Sequence, residues 1–158
     1  MFVQTHLRVG IAVIFFASVL AMTPRASGEI IEGAGQGGRP LSAILTGAAE
    51  VPGPGDPDGD GTALVTLNQG QGMVCFELVV SDITLPATAA HIHAGAAGVG
   101  GPVVVSLAAP DETGVARGCR EADPELIKAI RQTPEAYYVN VHTADFPAGA
   151  VRGQLEKQ

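Results

Sequence analysis

The sequence predicts an all-β fold, an antiparallel Greek-key β-sandwich of about eight strands with one short crossover helix. Short apolar runs, several with period-two alternation, recur along the chain. Turn-forming runs separate them, since the chain holds 21 Gly and 11 Pro. One segment alone has the pattern of an amphipathic helix, and no internal repeat of fixed period is visible.

The first 28 residues have the layout of a secretory signal peptide. Arg8 precedes the apolar run 9–22, and small residues follow it, so cleavage is expected after Ala21 or after Gly28. The apolar run has 14 residues, fewer than the roughly 20 that cross a bilayer. The sequence therefore predicts a periplasmic or extracellular protein without membrane insertion after signal cleavage.

The remaining chain divides into a leader and one domain. Residues 29–39 are rich in Gly and lack apolar periodicity, which indicates a flexible leader to a domain over residues 40–158. Removing residues 1–28 takes away Arg8 and Arg25 and no acid, which leaves 16 acidic against 7 basic side chains and a net charge of −9. This charge argues against nucleic acid or an anionic membrane as partner. The charge leaves a protein or a small ligand as the possible partner.

The first half of the domain is predicted to hold three strands. Residues 41–46 alternate as a first strand, and residues 47–61 are crowded with Pro and Gly and form a loop. The β-rich runs 62–68 and 73–81 flank the turn Gln-Gly-Gln-Gly, which predicts a hairpin. In the second run Val74, Phe76, Leu78 and Val80 share the predicted core face, so Cys75 lies on the opposite face, beneath another segment.

The loop contains an acidic motif that resembles the start of a calcium loop. Asp56, Asp58 and Asp60 have the D-x-D-x-D-G spacing of an EF-hand. The twelfth position holds Leu67 instead of the required Glu, and no helix pattern flanks the segment, so the EF-hand is excluded. The three carboxylates then form a solvated turn or, less favoured, a Ca²⁺ site of another kind.

The second half alternates strands with the single helix. A strand containing His91 and His93 runs into the Gly-rich loop 95–102, and no Lys or helix pattern follows, so a phosphate-binding loop is excluded. The other predicted strands are the apolar run 103–107, a short segment reaching Cys119, and a final hairpin of residues 137–143 and 150–155.

The helix has clear start and stop signals. Asp123 is a suitable N-cap, Pro124 suits the first helical position, and Thr133-Pro134 ends the helix. Cys75 and Cys119 form an even pair in a chain predicted to be exported, so we expect them to be disulfide-bonded.

The histidines are the chemistry-bearing residues of the domain. The chain has four, and one of them, His6, lies in the predicted signal peptide. His91 and His93 share a strand face, with roughly 6 to 7 Å between them. His142 shares a face with Asn140, and the hairpin pairing places Arg152 near that face.

These stretches resemble the CHRD domain, a family named from chordin and also found in secreted bacterial proteins. The motifs that carry the resemblance are Leu45-Thr46-Gly47 with Glu50-Val51-Pro52, Ala90-His91-Ile92-His93-Ala94-Gly95, Gly101-Pro102-Val103-Val104, Tyr138-Val139-Asn140-Val141-His142-Thr143 and Pro147-Ala148-Gly149-Ala150-Val151-Arg152-Gly153-Gln154-Leu155. The sequence differs from the family at one place: the family often has a second proline directly after Glu-Val-Pro, and this chain has Gly53-Pro54 there. The resemblance implies a β-sandwich outside the cytoplasm, with His142 near the other two histidines, and implies no reaction.

Three hypotheses remain for the histidines. His91, His93 and His142 form a hydrogen-bonded structural network with Asn140, Thr143 and Arg152, or they bind one copper or zinc ion. In the second case Asn140, Thr143 and Arg152 surround the ligands, and no other cofactor is predicted.

The third hypothesis is an enzyme resembling copper-zinc superoxide dismutase. It is the weakest, because the two-metal site of that family needs more histidines than three. No catalytic residue is assigned, and we do not predict an enzyme.

Overall fold

The computed structural model describes Met1 and residues 40–158. The predicted signal peptide and leader therefore lie outside the described residues, Met1 excepted. The described part contains nine β-strands and one α-helix, with short 3₁₀ turns at Gly47–Ala49 and Pro134–Ala136. The elements are β1 (Leu41–Thr46), β2 (Asp60–Asn68), β3 (Met73–Ser81), β4 (Ala89–Ala94), β5 (Val103–Ser106), β6 (Val115–Glu121), α1 (Pro124–Gln132), β7 (Tyr137–His142), β8 (Val151–Gln154) and β9 (Glu156–Lys157). No helix among the described residues is long and apolar enough to cross a bilayer.

The strands form one continuous antiparallel sheet with the order β5-β4-β7-β8-β1-β2-β3-β6, and β9 pairs with β1 beside this path. The predicted all-β class with one short helix is confirmed. The sheet has two four-stranded halves, and the β1–β8 pairing that joins them has a single matched pair, Thr46 with Arg152. Residues from both halves belong to one buried cluster, so the halves face each other as the layers of a sandwich do.

The core lies between the two halves. Alternate residues of β3 point into it as predicted, since Val74, Phe76, Leu78 and Val80 are at most 5% exposed. The largest fully buried apolar side chains come from both halves and the helix: Leu45, Val65, Val74, Leu78, Ile92, Ile127, Ile130, Val139, Val141, Val151 and Leu155. Because Ile92, Val139 and Val141 face the core, the residues between them face the other side of the sheet.

The helix begins as the sequence predicts. The Asp123 side chain accepts a hydrogen bond from Glu125 N at 2.7 Å, and Pro124 is the first helical residue. Ile127 and Ile130 are buried, and α1 packs against β2 and β3. The helix ends at Gln132, one residue before Thr133-Pro134.

The sequence-based prediction made β6 too short and missed β9. The sequence predicted a short segment reaching Cys119, whereas β6 runs over seven residues, Val115–Glu121, and pairs with β3 along its length. Arg117, Gly118 and Arg120 interrupt the apolar alternation that signals a strand. β9 was missed because it has only two residues.

The disulfide between Cys75 and Cys119 is present as predicted. The two residues are opposite each other on β3 and β6, and their Cα atoms lie 3.9 Å apart. The bridge therefore joins neighbouring strands on the face away from the core, and no further segment has to cross it as the sequence analysis had expected. It fastens β6, which is an edge strand.

Replacing both cysteines with serine should lower the free energy of unfolding by about 3 to 4 kcal/mol. The bridge closes a loop with a sequence separation of 44, and in the chain-entropy model this restriction of the unfolded chain gives that magnitude. Urea unfolding followed by circular dichroism measures the loss. A loss below about 1 kcal/mol would contradict the prediction.

Candidate metal centre

The strand register brings the three histidines together. In the antiparallel pair of β4 and β7, His91 lies opposite Asn140, and His93 lies opposite Tyr138. Ala89 lies opposite His142, so His142 comes diagonally beside His91. All three imidazoles share the face of the sheet that is turned away from the core. The prediction that β7 brings His142 near the His91–His93 pair is confirmed.

The distances are those of a compact cluster. One ring nitrogen from each of His91, His93 and His142 lies within 4.8 Å of the others. Nδ1 of His91 and Nε2 of His142 are 3.2 Å apart. Two imidazole nitrogens bound to one tetrahedral ion at about 2.0–2.1 Å would be separated by about 3.4 Å. That pair therefore needs little movement to bind an ion, and His93 lies within reach of the same ion after a modest side-chain shift.

Backbone carbonyls fix the tautomer of two of the rings. His93 Nδ1 lies 2.8 Å from Gly101 O, and His142 Nδ1 lies 3.1 Å from Pro147 O. A carbonyl oxygen only accepts, so each Nδ1 must carry the proton and donate it. The Nε2 atom of each ring then keeps its lone pair. This Nδ1–H to carbonyl arrangement is the common support of a metal-binding histidine.

The lone pair on His93 Nε2 has no hydrogen-bond partner. Its side chain is buried, at 9% exposure, and Nε2 forms no hydrogen bond. Burying an acceptor without a partner costs about 1–3 kcal/mol. His93 also stacks on the Tyr138 ring, with centroids 4.7 Å apart and planes 7° from parallel, so the imidazole has little freedom to find another partner.

His91, the third ring, is linked to His142 by a hydrogen bond that His91 donates. Since His142 Nε2 carries a lone pair, His91 Nδ1 donates the hydrogen bond between the two rings. For His91 Nδ1 to bind a metal ion held between the rings, that proton would have to move to His91 Nε2, because each coordinating nitrogen needs its lone pair.

Two loops place the supporting carbonyls. A Cβ atom at Gly101 would lie 1.6 Å from Ala94 O, so only glycine allows the close backbone approach that directs Gly101 O to His93. On the other side, the Thr143 hydroxyl accepts a hydrogen bond from Phe146 N at 3.1 Å. Thr143 thus holds the turn that presents Pro147 O to His142, which is an indirect role.

Burial favours the neutral, metal-binding form of two of the rings. Desolvation lowers the pKa of His91, and the nearby His142 and His93 lower it further. Desolvation also lowers the pKa of His142, although the hydrogen bond to Pro147 O acts in the opposite direction. Both imidazoles are therefore neutral at pH 7, so each ring keeps one nitrogen lone pair that can bind a metal ion.

The metal-free protein should lose stability as the pH falls below 6.5. In the unfolded chain these imidazoles are protonated near their ordinary pKa of 6.5, whereas in the folded protein they stay neutral to lower pH. The unfolded state then binds more protons, so the contribution is full above pH 6.5 and is lost as the pH falls through the lowered folded values. Urea unfolding between pH 8 and 5 in a chelator measures this, and a His91→Asn, His142→Asn double variant should show a weaker pH dependence. An unchanged dependence would contradict it.

The hydrogen bonds of the Arg152 guanidinium go to backbone carbonyls, and none goes to the three histidines. Nη2 donates to Ala96 O and to Val99 O, each at 2.9 Å, and the guanidinium carbon lies 3.4 Å from the centre of the Tyr138 ring. Tyr138 is on β7, between the strands that carry His93 and Arg152. Arg152 lies opposite Asn140, as the hairpin predicted.

A buried glutamate adjoins Arg152 and Asn140. Glu50 is 5% exposed. Burial raises its pKa, whereas the charge of Arg152 and a hydrogen bond to Asn140 act in the opposite direction. From the sequence, Glu50 stood out only as part of a motif of the CHRD resemblance, with no role of its own. A single acid between apolar residues at the start of a Pro- and Gly-rich loop is the signal that could have identified it.

The acidic loop uses its carboxylates locally. Asp56 Oδ1 accepts a hydrogen bond from Asp58 N at 3.3 Å, and Asp60 Oδ1 accepts one from Ser81 Oγ at 2.6 Å. Within residues 40–158 the three histidines form a group with metal-binding distances, and these three acids do not. The solvated turn remains the favoured interpretation.

Millimolar Ca²⁺ should leave the melting temperature unchanged beyond the effect of ionic strength. A ligand that binds only the folded state would raise it in a saturable way. Differential scanning fluorimetry with Mg²⁺ and with NaCl at matched ionic strength provides the control. A saturable rise with Ca²⁺ alone, lost in Asp58→Asn, would show a calcium site.

One family model, the CHRD domain, matches residues 41–155. The chain belongs to the CHRD family. Searches of curated proteins and of solved structures each found no match. The motifs that carry the resemblance in this CHRD domain are also those that build the cluster: they supply His91 and His93, His142, the Gly101 and Pro147 carbonyls, and Arg152 and Glu50.

Proposed function

We propose that this CHRD domain is a secreted binding module that holds one copper or zinc ion through His91, His93 and His142. The observation that carries the proposal is the buried Nε2 atom of His93. It has no hydrogen-bond partner, and its ring is held in place by Gly101 O and by stacking on Tyr138. A metal ion supplies the missing partner for this lone pair.

The ligand set favours a transition metal. Imidazole nitrogen suits copper and zinc, and copper binds more tightly at a given nitrogen site. Three protein ligands leave a fourth position open, unlike the closed four-ligand arrangement of structural zinc sites. His91 and His142 are half-buried, so a small molecule or a partner side chain can approach that position. This supports a binding role more directly than a structural one.

Export to an oxidising compartment is part of the proposal. The Cys75–Cys119 disulfide supports it, because such bridges persist in secreted proteins and are rare in the cytosol. The predicted signal peptide and the membership of the CHRD family point in the same direction.

A second candidate is an interaction domain without metal, in which the histidines form a structural network. The observation in its favour is the hydrogen bond between His91 Nδ1 and His142 Nε2, which links two of the rings without an ion. This network leaves Nε2 of His93 unsatisfied, so it accounts for two of the three histidines.

Metal titration of tag-free protein separates the two candidates. We expect one equivalent of Cu²⁺ or Zn²⁺ to be retained after dialysis, measured by elemental analysis, and to be lost in His142→Ala. Asp58→Asn, which changes a carboxylate outside the histidine cluster, is the control and should retain the metal. Retention below about one tenth of an equivalent in the unmodified protein, with the fold intact, would favour the interaction domain.

A further inference from the structure

The edge strand β6 has one side without a strand partner. It pairs with β3 along its whole length, and no other strand within residues 40–158 pairs with it. An open edge of this kind is a template for pairing with another chain, and proteins usually cover or blunt it. The side chains of Arg117, Arg120 and Glu121 are exposed, so residues 40–158 do not cover this part of the strand.

Backbone hydrogen bonds at the two ends of β6 show which of its residues face the open edge. Val80 N donates to Gly114 O, and Ala122 N donates to Gly72 O, each at 2.9 Å. The register of β3 with β6 is uninterrupted between these two bonds. Hydrogen-bonded and non-bonded positions alternate along an antiparallel pair. The even-numbered residues of β6 therefore bond to β3, and the odd-numbered residues point their N–H and C=O groups to the open edge.

Three of the four odd-numbered residues keep these groups available. Val115 O accepts a hydrogen bond from Asp111 N at 3.1 Å. The other three are Arg117, Cys119 and Glu121. Within residues 40–158 their outward backbone groups form one hydrogen bond, a long one of 3.3 Å from the Arg120 side chain to Cys119 O. A second extended chain can therefore bond to all three residues.

The charges on β6 select a second copy of the same strand. Antiparallel self-pairing creates a two-fold axis between two identical strands. With the axis at Cys119, Arg117 of each copy lies opposite Glu121 of the other on the same face, and Arg120 lies opposite Gly118. An axis at Arg117 or at Arg120 places arginine opposite arginine, which destabilises the pair. Among the registers that pair residues 115–121 with themselves through the outward groups, the Cys119 axis alone brings opposite charges together.

We propose that β6 pairs antiparallel with β6 of a second copy of this chain, with the two-fold axis at Cys119. The outward backbone groups of Arg117, Cys119 and Glu121 bond to those of the second copy, and an Arg117–Glu121 pair lies on each side of the axis. Arg117 keeps its contact with Glu77, since a guanidinium has five N–H donors. Two edge strands form a small interface, so the dimer is a weak one. The proposal does not depend on the metal site, which lies on β4 and β7.

Sedimentation equilibrium of tag-free protein in a chelator tests for the dimer. We expect a monomer–dimer equilibrium with a Kd of about 100 µM or tighter. A monomer at every concentration up to about 500 µM would overturn the proposal, and the open edge would then be free for a different partner.

Amide hydrogen exchange followed by nuclear magnetic resonance tests the register. The amides of Arg117, Cys119 and Glu121 should exchange more slowly as the protein concentration rises, because the second copy bonds to them. The amides of Gly118 and Arg120 already bond to β3 and should not change. A dimer that forms without this alternation uses another surface and would overturn the proposal.

A charge reversal tests the ion pairs across the axis. Glu121→Arg places arginine opposite Arg117 of the second copy, so it should weaken the dimer at least about tenfold. Glu156→Arg is the matched control, because Glu156 is exposed on β9 and β9 pairs with β1, away from β6. Both variants reduce the net negative charge equally, which by itself favours association. If Glu121→Arg, with its circular dichroism unchanged, dimerises as tightly as Glu156→Arg, the proposal fails.

Discussion

Replacing Arg152 with methionine lowers the free energy of unfolding by about 3–5 kcal/mol. Arg152 is 1% exposed, and Nη2 donates to the carbonyls of Ala96 and Val99. Methionine fills a similar volume, so the loss comes from unpaired polar groups and less from a cavity. The two carbonyls lose their donor, and the buried Glu50 loses its positive neighbour.

Urea unfolding measures the change, and Arg117→Met is the matched control. Arg117 pairs with Glu77 at 2.8 Å on the surface, where its side chain is 65% exposed. An exposed pair of this kind contributes at most about 1 kcal/mol. If Arg152→Met lowers the free energy of unfolding no more than Arg117→Met does, then the hydrogen bonds of Arg152 to the Ala96 and Val99 carbonyls and its charge near Glu50 do not stabilise the fold.

The cost of Arg152→Met should also depend on pH. Burial raises the pKa of Glu50, and the charge of Arg152 opposes that rise. Without Arg152 the pKa rises further, so folding at high pH requires either a buried unpaired carboxylate or its protonation. The unfolding free energy of the variant, relative to the unmodified protein, should therefore fall as the pH rises from 5 to 8. A difference that does not vary with pH would contradict the effect of the Arg152 charge on the pKa of Glu50.

Replacing His93 with alanine weakens the binding of Cu²⁺ or Zn²⁺ more than about 100-fold. Loss of a group that merely supports a ligand costs about 10- to 100-fold, and His93 is proposed as a ligand. Competition with a chelator of known affinity measures the change. Tyr138→Phe is the control, because it keeps the ring that stacks on His93 and removes only the hydroxyl that accepts from Gly101 N.

The stability of metal-free His93→Ala separates a ligand from a structural residue. A lost network histidine would cost about 1–3 kcal/mol and leave metal binding unchanged. A lost ligand changes metal affinity most, and the chelator competition detects it. Unchanged affinity in His93→Ala, together with a loss of that size in stability, would assign His93 to the structural network.

The sequence pattern correctly predicted the features that depend only on residues close together in the chain. Period-two alternation placed Val74 and Val80 on the core face of β3, and it placed His91 and His93 on one face of β4. The cap residues predicted where α1 begins, because Asp123 binds the first turn of its own helix. These predictions needed only residues within a few positions of each other.

The geometry of the cluster required contacts between distant residues. The pairing of β4 with β7 joins residues about 50 positions apart, and periodicity within either strand does not determine which strands pair. The prediction that His142 lies near the other two histidines therefore rested on the CHRD resemblance. The Gly101 and Pro147 carbonyls could not be predicted, since every residue has a carbonyl and only the folded loops decide which of them reach an imidazole.

Pulsed electron paramagnetic resonance on the Cu²⁺ protein tests the central claim most directly, because it counts the imidazoles bound to the ion. With one equivalent of Cu²⁺ on tag-free protein, we expect the nitrogen modulation of three imidazoles, and of two in each of His91→Ala, His93→Ala and His142→Ala. Asp58→Asn, which lies outside the cluster, should still show three. A spectrum with one imidazole or none, or a count that His93→Ala leaves unchanged, would contradict the proposal that His91, His93 and His142 hold one ion.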